Sequence, residues 1–330
     1  MQDYRNSLEQ LINQEVKVAA AYGLGLEQDS SVEVRVSTDK QRMLLEALYK
    51  KEIIDPVITE KDIRDFYTRS GKEVLIRTIF LKTQPQMKPV QIDSIRAVAE
   101  GIYKRLQKGE LFTDLARSYS QDETTAMNGG MVGSLDYSKS NDPIRNAAFS
   151  MSSGEFSKPI QTDLGFNIIK VEEVRSKERK PLDEERERIK DLLRREKGAL
   201  LSERSKEYWE KWKNKSGFNW DEKTVDTLAA FLKNPKPFFR KGLLDRLDSI
   251  PKDYPPMVLV RYSDGQMKVS DFIARVKTMS FSFMGIPMYN KETLKHYAER
   301  WIMTGVLEKQ ALSKRLDRDP KVQEGLKQAR

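Results

Sequence analysis

Apolar residues recur at helical spacing over most of the chain. Leu8, Leu11, Ile12, Val16 and Ala19 predict a first helix, ended by Gly23 and Gly25. Met43, Leu44, Ala47 and Leu48 share one face of a second helix over about 38–52. A third begins after Pro56, where Thr59 is an N-cap with Asp62 three residues on. The pattern changes at Val74–Leu81, a β-branched and apolar run that reads as a strand. A helix over 92–108 follows, closed by Gly109, then a short helix ending near Tyr119 and a turn at Gly129-Gly130. Another helix starts at Pro143, and a strand covers 166–174.

Beyond that strand the pattern predicts one long charged helix from Leu182 to Asn214, then a Pro-rich loop with short helix from Asn234 to Pro256. A hairpin over 257–269 turns at Ser263-Asp264-Gly265, and helices over 270–278 and 291–314 finish the chain. The fold class is α+β. Residues 1–72 form a helical segment, 73–176 an α+β domain with an antiparallel sheet and surrounding helices, and 177–330 a segment packing with the first. The joints near 70–73 and 175–181 are expected to act as hinges. At a fixed offset of 290, Ile12, Val16, Ala21, Leu26, Asp29 and Val32 fall on Ile302, Val306, Ala311, Leu316, Asp319 and Val322, which suggests that the two ends repeat one unit.

Length supports this division, since 330 residues exceed one ordinary core. Lys and Arg total 59 against 50 Asp and Glu, a net charge of +9. The signs alternate, as over Glu184–Arg195, so they read as solvated surface and not as a nucleic-acid patch. No run approaches the roughly 20 apolar residues of a spanning helix. With no cysteine and one histidine, His296, the chain has no disulfide, thiolate nucleophile, Cys-ligated zinc or paired-histidine site. No metal or cofactor is expected. His296, between Lys295 and Tyr297, reads as a surface residue. The N-terminal Met-Gln-Asp-Tyr shows no signal-peptide pattern, which fits a cytoplasmic chain or a mature secreted one with an added Met. Phe281, Phe283, Met284 and Met288 lie in a Met- and aromatic-rich stretch, read either as core or as an adaptable client-binding surface.

The middle segment resembles the parvulin family of peptidyl-prolyl isomerases. The resemblance rests on ordered landmarks over about 100 residues: Ile76–Phe80, Leu111–Ala116, Tyr119–Asp122, Asn128–Gly133, Pro143–Phe149, Ser153–Pro159 and Gln161–Ile169. The flanks, Leu8–Ile12 with Ala19–Leu26 and Ile58–Tyr67, are similar to those of the SurA- and PrsA-type extracytoplasmic foldases. The resemblance implies a periplasmic-type chaperone whose clients are unfolded or nascent envelope proteins, and a signal peptide already removed.

An X–Pro bond isomerises in tens to hundreds of seconds unaided. Catalysis needs an apolar seat for the ring, a desolvated carbonyl and hydrogen-bonding groups around the twisted amide. The resemblance places the family's two central histidines at Thr78 and Asn167, and its acidic-or-cysteine position at Asp122. Val132, Ile144, Phe149 and Leu164 match substrate-pocket positions or stand beside the second histidine's place. Read from the residues alone, Thr78 and Asn167 are a polar pair inside a sheet, and Asp122 a turn or cap residue. The expectation is a client-binding foldase with weak or absent isomerase activity. The alternatives are an active isomerase using Asp122 and an envelope adapter holding one folded partner.

Overall fold

The computed structural model describes residues 16, 20, 23, 24, 29–139, 143–233, 246–278 and 290–329. The chain divides into two compact units, one of residues 1–56 with 199–330, the other Val57–Gly198.

The first described element, α1 (Ser30–Tyr49), begins about two turns before the apolar spacing predicts, because its early face stays in water: Val34 is 65% exposed. Later turns bury Leu44 and Leu48. The helix widens into a π turn at Lys50–Ile54 and ends in one turn, Asp55–Val57. Pro56 explains the irregularity. It has no N–H for the Glu52 carbonyl, which instead accepts from Arg204 Nε at 2.8 Å.

The second unit opens with α2 (Glu60–Ser70), held by the expected capping box between Thr59 and Asp62. There follow β1 (Lys72–Lys82), α3 (Pro89–Gln107), α4 (Phe112–Tyr119), β2 (Met131–Asp136), α5 (Pro143–Ala148), β3 (Ile160–Thr162), β4 (Gly165–Ser176) and α6 (Leu182–Glu196). The sheet is antiparallel in the order β2-β1-β4-β3. Ile79, Leu81, Phe166 and Ile168 leave one face of it and pack with Ile102, Leu106, Phe112 and Leu115 of α3 and α4. Strands β2 and β3 were not legible: Gly133 and Ser134 interrupt β2, and β3 is too short to show alternation.

Two expectations are corrected. The long charged helix is broken at Lys197, which ends α6 and whose Nζ donates to the Val57 carbonyl at 2.8 Å and pairs with Asp62. Gly198 then begins a separate helix. The joints near 70–73 and 175–181 are not free connections either. Lys177 N–H donates to the Gly71 carbonyl at 2.9 Å, and Tyr67 Oη to the Lys180 carbonyl at 2.9 Å. α2 and α6 therefore lie in the same unit as the sheet, and the divisions fall at 56/57 and 198/199.

From its second residue on, α7 (Gly198–Ser216) belongs to the first unit, which continues with β5 (Asn219–Trp220), α8 (Glu222–Leu232), β6 (Val258–Tyr262), β7 (Gly265–Lys268), α9 (Val269–Thr278), α10 (Lys291–Ser313) and α11 (Pro320–Ala329). β5, β6 and β7 form a small antiparallel sheet over a core that includes Leu228, Leu259, Phe272, Leu294 and Ile302. The far end of α10 and the start of α11 give Ala311 and Val322 to a second cluster with Leu44 and Leu48 of α1. The internal repeat fares unevenly. Ile302, Val306, Ala311, Leu316 and Val322 are all buried, whereas Val16 is 61% exposed; Ile12, Ala21 and Leu26 lie outside the described residues. Most of the predicted N-terminal helix and of the Pro-rich loop also lies outside them. Among the described residues, no helix is long and apolar enough to cross a membrane.

Candidate functional site

Strands β1 and β4 set the site. Their register puts Thr78 opposite Ile169 and Phe80 opposite Asn167, so Thr78 and Asn167 are diagonal neighbours. Alternation turns both away from the face that packs on α3 and α4. They meet: Thr78 Oγ1 donates to Asn167 Oδ1 at 3.2 Å. Both are buried, at 7% and 5% exposure. Asn167 Nδ2 lies 3.5 Å from Thr162 Oγ1 as donor, and Thr162 Oγ1 donates to the Gly165 carbonyl at 3.1 Å. Thr162, at the base of a two-residue turn, was not singled out from sequence; its place before Asp163-Leu164-Gly165 was the available signal.

The two side chains are thus bonded to each other. The Thr78 hydroxyl proton is taken by Asn167, and neither side chain changes charge near neutral pH. The arrangement forms a neutral polar patch in the sheet, in which Asn167 Nδ2 makes one long bond, to Thr162.

Asp122 does not join this pair. Its carboxylate accepts from Thr124 Oγ1 and Thr125 Oγ1, each at 2.6 Å, and from Thr124 N–H at 3.2 Å. These bonds, from the Thr124 and Thr125 side chains first, hold the carboxyl below the usual range, so it is ionised at neutral pH. Asp122 shapes a turn: its carbonyl also accepts from Ala126 N–H. The loop before it is fastened to β1, where Phe80 N–H donates to Ser120 Oγ at 3.1 Å and Gln121 N–H to the Phe80 carbonyl at 2.7 Å.

The loop after Asp122 is fastened too. Arg77 Nη1 donates to the carbonyls of Asn128 and Gly129, each at 3.0 Å, while its Nε pairs with Glu172 at 2.9 Å. Gly130, at φ +80°, comes so close to β1 that a Cβ there would strike the Thr78 carbonyl oxygen. Sequence reasoning did not single out Arg77, although it lies within the Ile76–Phe80 landmark.

The matched pocket positions separate. Val132 is 45% exposed on β2 and Leu164 70% exposed at the β3–β4 turn, while Ile144 is half-buried on α5. Phe149 is buried and packs edge-on to Tyr137 at 5.1 Å, which in turn meets Phe66. It belongs to an edge-to-face row of three aromatic rings. Phe281, Phe283, Met284 and Met288 lie outside the described residues. His296 is exposed. Among the described residues, no cluster of His, Asp or Glu has the makings of a metal site.

Residues 79–173 match the PPIC-type PPIase domain of the rotamase family. The chain is 32% identical over 162 residues to a foldase protein PrsA of Oceanobacillus iheyensis, covering 47% of this chain and 50% of that protein. It is 31% identical over 154 residues to a PrsA of a Geobacillus species, covering 46% of this chain and 51% of that protein. The chain thus spans about half the length of the curated relatives it matches. A solved PrsA peptidylprolyl isomerase from Bacillus anthracis is 25% identical, with a TM-score of 0.33, over 50% of this chain and 69% of that one. The chain carries a parvulin-type domain and resembles PrsA foldases.

Proposed function

We propose, from a parvulin-type domain set in a PrsA-like chain, that this protein is an extracytoplasmic foldase that holds unfolded or partly folded clients and isomerises prolyl bonds weakly or not at all. One observation carries the reading: the buried Thr78–Asn167 hydrogen bond stands where the family's imidazole pair is expected. Stabilising the twisted amide takes hydrogen-bonding groups already aimed at the substrate bond. These side chains answer each other and Thr162 instead.

The alternative, an isomerase that relies on Asp122, asks that carboxylate to act on a substrate while both its oxygens accept hydrogen bonds from Thr124 and Thr125. A protease-coupled tetrapeptide assay decides between them. The expected result is a rate within about twofold of the uncatalysed one, with aggregation of an unfolded client suppressed by the same preparation. Strong turnover that Asp122→Ala abolishes would establish the alternative.

A further inference from the structure

On the sheet face opposite the Thr78–Asn167 pair, a recess of about 410 Å³ opens between α3 and the start of β3. That volume lies in the range of sites that take a side chain or small ligand. Tyr103 and Phe166 give it an apolar wall, and Arg96, Lys104 and Lys158 a cationic rim; among the described residues, Glu100 is the one carboxylate in the lining. Arg96 is already engaged, by Asp93 at 2.8 Å and Gln161 at 3.4 Å, with its guanidinium 5.6 Å from the Phe166 ring centroid. Lys104 and Lys158 are exposed and carry no carboxylate partner among the described residues.

The recess adjoins an edge strand, which α5 also approaches. β3 is the edge of its sheet. A two-residue turn joins Thr162 to Gly165, so Thr162 and Ile160 direct their backbone groups at β4. The N–H and C=O of Gln161 consequently point outward, and neither makes another backbone bond among the described residues. Pro159, the next outward position, has no N–H, so any added strand is short and side-chain capture must supply the remaining grip.

We propose that this edge and recess form a second polypeptide-binding site, separate from the parvulin site. A short extended segment pairs with Gln161 and seats an acidic side chain, flanked by apolar ones, in the recess facing Lys104 and Lys158. The charge of the rim selects the acidic residue, and the unpaired backbone at Gln161 selects the extended form. No proline is needed, so the site works whether or not the chain isomerises prolyl bonds.

The test uses the full chain and a fluorescein-labelled, proline-free peptide, Thr-Val-Tyr-Val-Glu-Val-Tyr-Val-Thr, with a counterpart carrying Lys in place of Glu. Fluorescence polarisation should show the acidic peptide binding at least about fivefold tighter, as expected for two rim charges. Lys104→Glu/Lys158→Glu should reverse the preference, and Lys104→Gln/Lys158→Gln should erase it with an unchanged circular dichroism spectrum. Gln161→Pro should weaken both peptides alike. Equal affinity for the two peptides, or a preference that survives the charge reversal, would overturn the proposal. So would a concentration-dependent dimer that Gln161→Pro abolishes in a chain that binds neither peptide.

Discussion

Asn167 and Asp122 are both polar, and the structure gives them different work. Asn167 is 5% exposed and links Thr78 to Thr162, so Asn167→Ala removes two hydrogen bonds and leaves both partners inside the sheet region. A loss of about 1–3 kcal/mol is expected, read from urea unfolding, with no change in proline isomerisation. Asp122→Ala removes a partly exposed set of turn bonds and should cost about 1 kcal/mol, again without an activity effect. Catalysed isomerisation well above background in the parent chain that either variant abolishes would mean that the side chain acts on substrate. The identities of Thr78, Asn167 and Asp122 were legible by position. That one pair is bonded together and to Thr162, and that the third turns into its own loop, depended on hydroxyl partners at Thr162, Thr124 and Thr125 that sequence order does not single out.

The strand and its loop explain why the site is rigid. Gly130 lies at φ +80° against the Thr78 carbonyl, and Thr78 N–H donates to the Gly130 carbonyl at 2.8 Å. Gly130→Ala therefore faces both a disfavoured backbone and a collision with β1, at a cost of about 2 kcal/mol or more. Amide hydrogen exchange at Thr78 and Gly130 should rise in that variant. Unchanged exchange at Thr78 would show that the loop relaxes independently of the strand. Elements with a strong local signal were read well: the Thr59 cap, Pro89 within a turn of the predicted helix start, and the Ser263–Gly265 hairpin. β2, β3 and β5 were missed because short strands gain their stability from neighbours across the sheet, not from their own alternation. The split of the long charged helix depended on Lys197 reaching Val57 and Asp62, positions remote along the chain.

At the scale of the molecule, charge fixes the response of the Val57–Gly198 unit to acid. Burial alone would raise the Asp62 carboxyl, but hydrogen bonds from Lys197 and from Thr59 outweigh it and bring it to about 2, from an ordinary 3.8. Asp136 is likewise brought to about 2, burial opposing the hydrogen bonds from Lys177 and Ser138. Both folded values lie below the unfolded ones. Their stabilisation is complete above about pH 5 and is lost as pH falls toward 2. Each contributes on the order of 1–2 kcal/mol, after allowance for partial exposure. Hydrogen exchange of β1 and β4 amides should therefore accelerate over that window beyond its intrinsic pH dependence. Asp62→Asn with Asp136→Asn should weaken the unit at neutral pH and flatten the acid response; a response of the same size in the variant would assign it to other carboxylates.

The amino-acid sequence by itself excluded cysteine and paired-histidine chemistry and set the α+β class, because composition and local periodicity are properties of consecutive residues, while the parvulin landmarks were legible through their resemblance to a family. Only the tertiary structure decided that Thr78 and Asn167 bond to each other, that α2 and α6 belong with the sheet, and that a cationic recess lies beside the β3 edge. Each of these joins groups far apart in the chain, and such contacts are chosen by the packing of the whole fold, where no local preference reaches.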